Sequence, residues 1–326
     1  MKVLVTGATG FVGRRLVDRL VDCRYDVRIL SRRAAPHDVA WWNRVDSVQG
    51  DLNDRLAIRR AMQGVTVVIH LAAQLGSWKV SPAVYQETNV EGTRKLVEEA
   101  GDGLEHFVYI STAGVLGNLR YVPAGENHPC APRTLYEQTK YQAERYVLGR
   151  VEGGFPATII RPSHVFGPGD LHLLPLVKML QKLRLFPLID GGKALFQPIF
   201  SDDLARGIIS CIEHPRPAIG GIYLMAGDDC VTFKELIKII ARLLSIKVST
   251  FSLPYGLAMA GAEINELLAG LMGIEPVLSP FRVDFLGRHQ AYEVARAKSE
   301  FGFLPLVNVE DGLQEAILWY RSRQLI

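Results

Sequence analysis

Four cysteines in 326 residues is a small number, and no two of them form a C-x-x-C pair. Cys23, Cys130, Cys211 and Cys230 are scattered, so neither a disulfide framework nor a metal site is expected. The reading is a cytoplasmic protein with reduced thiols. Charge of one sign is equally scarce. Lys and Arg total 37 against 34 for Asp and Glu, a net charge of +3, with no basic block interleaved with aromatics. That excludes nucleic acid as the expected partner. Long apolar runs are missing as well. The most membrane-like stretch, Leu253 to Gly273, is broken by Glu263, Asn265 and Glu266, which makes it an amphipathic helix and not a transmembrane span. No signal peptide is expected ahead of the first strand, because Gly7 and Gly10 interrupt any apolar run. No internal repeat or low-complexity tract is visible. What remains, 48% hydrophobic and 22% charged residues, suits a soluble globular enzyme with one large core or two lobes sharing an interface.

The most informative stretch is the start. Val3, Leu4 and Val5 read as a strand buried on both faces. They run into Gly7, Gly10 and Gly13, spaced G-x-x-G-x-x-G, and Val12, Leu16, Val17 and Leu20 then recur at helical spacing. Strand, glycine turn and helix is the layout of a dinucleotide site. Gly7 allows the tight turn, Gly10 lets the backbone approach a pyrophosphate, and Gly13 lets helix and strand pack closely. The free N–H groups and the helix dipole then face the phosphates.

A second strand, Asp26 to Leu30, ends in Ser31-Arg32-Arg33. This place, about 20 residues beyond the glycine turn, is where such a fold reads the adenosine ribose. An acidic residue would bind the 2′-hydroxyl; Ser31 with two guanidinium groups suits a 2′-phosphate. NADP(H) is therefore the expected cofactor, NAD(H) the alternative, and Arg32 the main contact over Arg33. One or both arginines could equally be solvated loop charges. Gly50-Asp51-Leu52 follows a weak strand around Val45 to Val48. Asp51 could accept from the adenine amino group, cap the helix of residues 53–62, or do both. The β-branched strand Val65 to Leu71 closes on His70-Leu71-Ala72-Ala73, where small Ala72 and Ala73 let the backbone pass close to a cofactor. His70 reads as a packed strand-end histidine rather than a catalyst. Ser81-Pro82 opens a helix to about Ala100. Its Asn89 needs a partner to sit mid-helix, and could hold the sheet-end loop or a proton-relay water. The strand Phe107 to Ile110 delivers Ser111 and Thr112 to the carboxyl edge of the sheet, where open α/β sheets bind ligands.

Beyond a loop rich in Pro and Gly, Tyr136 and Lys140 sit four apart on a helix running to about Leu148, so they share a face. A free tyrosine, with pKa about 10, is a poor proton donor or acceptor at neutral pH. A neighbouring ammonium favours the phenolate and lowers that value. Tyr136 could then exchange the substrate oxygen's proton while Thr112 bonds the same oxygen.

As a set, these residues resemble the extended short-chain dehydrogenase/reductases. The matching motifs are Thr-Gly-Ala-Thr-Gly-Phe-Val-Gly (6–13), Gly-Asp-Leu (50–52), His-Leu-Ala-Ala (70–73), Asn-Val-Glu-Gly-Thr (89–93), Ser-Thr-Ala-Gly-Val-Leu-Gly (111–117) and Tyr-x-x-x-Lys (136–140). Arg-Pro-Ser-His-Val-Phe-Gly (161–167) and Phe-Ser-Asp-Asp-Leu-Ala (200–205) continue them, in order over nearly the whole chain. The resemblance implies an α/β Rossmann-type doubly wound parallel sheet, residues 1–166 and 201–226 forming the NADP-binding domain. Residues 167–200 and 227–326 would form a smaller C-terminal substrate-binding lobe over the nicotinamide end. It implies Thr112, Tyr136 and Lys140 as the catalytic three, with Lys140 also on the nicotinamide ribose and the backbone from Pro162 through His164 to Val165 on the carboxamide. Around the dinucleotide it places Gly7, Thr9, Gly10, Phe11, Val12, Gly13, Ser31, Arg32, Asp51, Leu52, Leu71, Ala72, Ala73 and Asn89. Helices 82–100 and 133–148 resemble the pair that makes a homodimer interface in relatives.

Departures from the family pattern bear on the substrate. Dehydratase relatives place an acidic pair after the catalytic Thr, where this chain has Ala113 and Gly114. Nucleotide-sugar members carry Asn where His164 stands, and Leu116-Gly117 replaces the common Tyr-Gly. Pro254 to Leu286 resembles the helix-forming stretch of the 3β-hydroxysteroid dehydrogenase and dihydroflavonol reductase branches. Its Leu257, Met259, Ile264, Leu267, Leu268 and Leu271 are expected mostly to pack the small lobe, or else to line an apolar pocket. The expectation is an oxidoreductase moving hydride to or from a hydroxyl or ketone carbon of a small, apolar or cyclic substrate. The alternatives are a nucleotide-sugar epimerase with the same three residues, and a cofactor-binding regulator that has lost catalysis.

Overall fold

Runs of β-branched and apolar residues become strands with both faces covered, and the polar-flanked periodic stretches between them become the covering helices. In the computed structural model, residues 1–32, 39–76, 80–272 and 278–326 are described. In chain order the strands are β1 (Lys2–Thr6), β2 (Asp26–Ser31), β3 (Asp46–Gln49), β4 (Val67–His70), β5 (His106–Ile110), β6 (Ala157–Pro162) and β7 (Val165–Phe166). They continue as β8 (Leu185–Ile189), β9 (Leu195–Phe196), β10 (Ile199–Phe200), β11 (Ile222–Met225), β12 (Val231–Thr232) and β13 (Ser249–Leu253). The helices are α1 (Phe11–Asp22), α2 (Arg55–Met62), α3 (Pro82–Tyr85), α4 (Gly92–Glu98), α5 (Leu135–Val151), α6 (Leu174–Leu183) and α7 (Ser201–Glu213). After them come α8 (Pro215–Ala218), α9 (Phe233–Leu243), α10 (Tyr255–Met272), α11 (Pro280–Gly287), α12 (Ala295–Phe301) and α13 (Val309–Ser322).

Among the described residues, seven strands form one sheet in the order β11-β6-β5-β4-β1-β2-β3, all neighbours parallel. Strand order reverses between β1 and β4, so the crevice for a ligand opens beside the glycine turn. Alternate residues of each strand enter opposite cores. Val3, Val5, Ile69 and Val108 pack with α1 and α7, whereas Leu4, Val68, Phe107 and Tyr109 pack with α2, α4 and α5. A third core gathers α6, α9 and α13 around Phe186, Leu188 and Phe196.

Local expectations fare unevenly. Helix α13 and the capping box of Thr232 and Glu235 at the head of α9 form as expected. The helix expected from Ser81 to Ala100 is three pieces: α3, a π-helical turn at Gln86–Glu91, and α4. The cap of α2 falls to Asp54, which accepts from Leu56 N and Ala57 N; Asp51 instead accepts from Asn53 N, 2.9 Å away. The largest departure is α10. Leu257, Ile264, Leu267, Leu268 and Leu271 do not pack the small lobe; each is at least half exposed, and only Met259 of that set is part-buried. Ala258, Ala262 and Ala269 form the buried face in their place. Among the described residues, no helix is long and apolar enough to cross a membrane.

Candidate active site

The glycine turn is steric necessity. Gly7 has φ of 75°, and a Cβ there would lie 2.6 Å from Ala72 N. A Cβ on Gly13 would lie 2.1 Å from Gly7 O, so α1 and β1 pack at glycine distance. Gly10 caps α1 without a side chain and no acidic residue follows in the first turn, so the helix dipole is left for an outside anion. Thr9, Phe11 and Val12 line this turn, part-buried; Gly169 packs on the Phe11 ring, where a Cβ would come within 3.3 Å. The cradle fits a dinucleotide pyrophosphate.

The neighbouring loop is fixed by one buried histidine. Thr93 donates to Asn89 O (2.6 Å) and accepts from His70 Nε2 (2.9 Å), so Nε2 carries the proton. Nδ1 therefore accepts from the Thr6 hydroxyl at 2.6 Å, and Thr6 Oγ1 in turn accepts from Ala72 N. Burial, with the Lys140 charge adding, pushes His70 down to about 3. It is a structural histidine, as its strand-end position suggests. Leu71, Ala72 and Ala73, part-buried, follow it at the sheet edge. Asn89, in the π turn, accepts from Gln74 N (2.7 Å) and donates to Gln74 O and Thr139 Oγ1, so it holds the sheet-end loop against α5.

On the ribose side, Ser31 is buried, Leu52 packs beneath α4, and Arg32 is exposed with its Nε 3.7 Å from Asp51. Arg33 lies outside the described residues.

Thr112 ends the run from β5, and its hydroxyl accepts from Gly114 N at 3.1 Å, which leaves the O–H as a donor. Gly114 sits against Glu137, where a Cβ would lie 2.9 Å from the carboxylate, so the Thr112 turn and the head of α5 are in contact. Thr134 and Glu137 cap α5 reciprocally. Lys140 is 2% exposed, its Nζ 4.2 Å from the centre of the Tyr109 ring, and burial pushes its pKa down to about 7 against the opposing pull of Glu144. Burial, with the Glu137 carboxylate beside it, pushes the Tyr136 pKa above its ordinary value.

Two groups escaped the sequence reading. Glu144, fully buried, accepts from Ser111 (2.6 Å) and pairs with Arg161 at 2.5 Å, beneath the Thr112 turn. The spacing 136, 140, 144 was a usable signal for it. Glu137 accepts from Arg288 (3.2 Å), while Asp284 takes Arg133 and the Tyr255 hydroxyl. That network joins residues 151 apart and has no sequence signature. Pro162 ends β6. The His164 ring lies 5.5 Å from Phe196 and 5.6 Å from Phe285, burial holds its pKa down, and its carbonyl accepts from Ile199 N. Val165 then pairs with Ile199.

The model of the NAD dependent epimerase/dehydratase family matches residues 3–226. The chain belongs to that family. It is 28% identical over 319 residues to the 4-hydroxy-2-methyl-3-oxo-4-farnesyl-3,4-dihydroquinoline-1-oxide ketoreductase of Stigmatella aurantiaca, covering 96% of this chain and 95% of the relative. It is 27% identical over 341 residues to the decarboxylating sterol-4-alpha-carboxylate 3-dehydrogenase of Saccharomyces cerevisiae, covering 97% of each. The crystal structure of gox2253 superposes with a TM-score of 0.82 at 28% identity, covering 99% of both chains. With the Rossmann sheet in place, the chain is an NAD(P)-dependent dehydrogenase/reductase of the extended short-chain type.

Proposed function

We propose that the chain is an NADP(H)-dependent reductase or dehydrogenase acting on a hydroxyl or ketone carbon of an apolar, cyclic substrate. One observation carries the substrate class. Arg133 and Arg288, the cations near the head of α5, are tied to Asp284 and Glu137, while His164, Phe196 and Phe285 form an aromatic wall. A nucleotide sugar needs cations turned to its pyrophosphate; an apolar ring needs the wall. The farnesylated and sterol substrates in the relatives' names agree with this.

In this reading Gly7, Thr9, Gly10, Phe11, Val12 and Gly13 hold the pyrophosphate, Asp51, Leu52 and Leu71 to Ala73 the adenosine side, and Ser31 and Arg32 the 2′-phosphate. Asn89 steadies the loop, and Pro162, His164 and Val165 border the carboxamide. The dinucleotide supplies or accepts a hydride at the substrate carbon. Thr112 donates to the substrate oxygen, Tyr136 exchanges its proton, and Lys140 orients the tyrosine and the ribose. Residues 1–166 and 201–226 make up the cofactor domain, and 167–200 and 227–326 the lobe that excludes water. Two copies pair in the cytoplasm through α3, α4 and α5. Stoichiometric loss of NADPH with cyclic ketones tests the function; net epimerisation of a nucleotide sugar without that loss would overturn it. Calorimetry tests the cofactor: Arg32→Ala weakens NADPH by about 1.5–3 kcal/mol and leaves NADH nearly unchanged. Equal losses would remove the NADP assignment.

A further inference from the structure

Helix α10 is amphipathic in the wrong direction for a protein in water. Leu257, Ile264, Leu267, Leu268, Leu271 and Met272 are 50% to 78% exposed. At 3.6 residues per turn they fall within an arc of about 140°. Ala258, Ala262 and Ala269 occupy the opposite arc and meet Val283 and Ile189. Three hydrogen bonds hold the helix in this rotation. The Tyr255 hydroxyl donates to Asp284 (3.2 Å), its N–H donates to Asp190, and Asn265 Oδ1 accepts from Leu278 N.

The apolar ridge continues on the neighbouring two-stranded ribbon. β13 runs parallel to β8 with Phe251 opposite Pro187 and Leu253 opposite Ile189. Strand alternation puts Leu185 and Phe251 on the face of the ribbon where Ile189 and Leu253 meet α10 and α11. Leu185 and Phe251 are each 46% exposed. At the same end of the ribbon stand cations: Arg184 directly before β8, Lys247 two residues before β13, and Lys182 in the last turn of α6, all exposed. Lys234 and Lys238 line a groove with Thr250, which strand alternation puts on the opposite face of the ribbon from Phe251, so they are not part of this rim. Glu263 and Glu266 lie to one side of the ridge, exposed to water.

We infer that this face docks on an anionic lipid surface, α10 lying in the plane of the interface with its leucines in the acyl boundary and the lysines on the headgroups. An exposed apolar ridge beside a basic rim on a helix unable to span is the pattern of interfacial attachment. A second copy fits less well, since pairing would bring two basic rims together. The inference does not depend on the substrate.

The test is co-flotation of the full chain with vesicles of phosphatidylcholine alone or mixed with phosphatidylserine. Wild type floats with the mixed vesicles, and less so at high salt. L267E/L271E lowers partitioning at least about tenfold on both vesicles with unchanged melting temperature and reductase activity. K182E/K247E lowers it on the mixed vesicles alone. Absence of wild-type flotation overturns the inference. So does a double leucine variant that floats like wild type, or one whose only effect is to turn a dimer into a monomer in light scattering, which would make the ridge a copy–copy contact.

Discussion

Helices α5 and α10 are nearly equal in length, 17 and 18 residues, and violate the ordinary burial pattern in opposite ways. α5 buries Glu137, Lys140 and Glu144; α10 buries alanines and leaves its leucines in water. Every buried charge on α5 has an answer. Glu137 has Arg288 and the capping N–H groups, Glu144 has Arg161 and Ser111, and Lys140 has the Tyr109 ring and a depressed pKa. Buried charges cost desolvation energy unless they are answered, and they gather at functional sites and in structural ion-pair networks alike. Among the described residues nothing covers the leucines of α10, which points to a partner outside the fold.

The sharpest way to break the comparison is chemical. Tyr136→Phe should keep the fold and lower single-turnover hydride transfer by about 10²–10⁴-fold, the usual loss of general acid–base catalysis. Near-normal transfer would strip α5 of its catalytic role. Glu144→Ala leaves the Arg161 guanidinium buried and unpaired, and should cost about 3–5 kcal/mol in denaturant unfolding. A loss below 1 kcal/mol would mean that water reaches the arginine.

Lys140 provides a pH test. Its folded pKa, about 7, lies below the ordinary 10.5, so between those values the unfolded chain binds the proton that the native state refuses. Stability contributed by this group therefore rises with pH across that window, by about 1 kcal/mol per unit, and is flat below 7. In cofactor-free Lys140→Met the rise should vanish; an unchanged profile would place the amine in water. The smallest effect belongs to α10. Leu267→Ala should change stability by at most about 0.5 kcal/mol, against about 2–5 kcal/mol for the same change at buried Leu16. A core-sized loss at Leu267 would show the ridge to be packed after all.

The Rossmann half was legible because its signals are local. Val3 to Gly13 reports strand, turn and helix within one window, and positions 136 and 140 report one helix face. Tertiary pairing was not legible: Glu137 meets Arg288 across 151 residues, and Thr6 meets His70 across 64. Asp54 took the cap from Asp51 because a side chain one residue before the helix reaches its free N–H groups, whereas Asp51 is spent on its own turn. α10 was misjudged because leucines at helical spacing say that a face is apolar, not which way it points. Spacing shows that Tyr136 and Lys140 share a helix face, but not how deeply each is buried, and burial is the first cause of both pKa shifts.

The His70 relay has a consequence for acid tolerance. Its hydroxyls and N–H groups all point one way, from Ala72 through Thr6 to the ring and from the ring through Thr93 to Asn89 O. Thr6 Oγ1 could accept from a proton added at Nδ1 only by turning its own hydroxyl proton away from the ring, and that proton would then need a new acceptor at the buried strand end. With the ring held down to about 3, the folded protein declines a proton that the unfolded chain accepts below about 6.5, and stability drains away as pH falls between the two. That loss is a loss of the whole fold's stability, carried by the unfolded chain's uptake of the proton and added to by His106, which burial holds down to about 4.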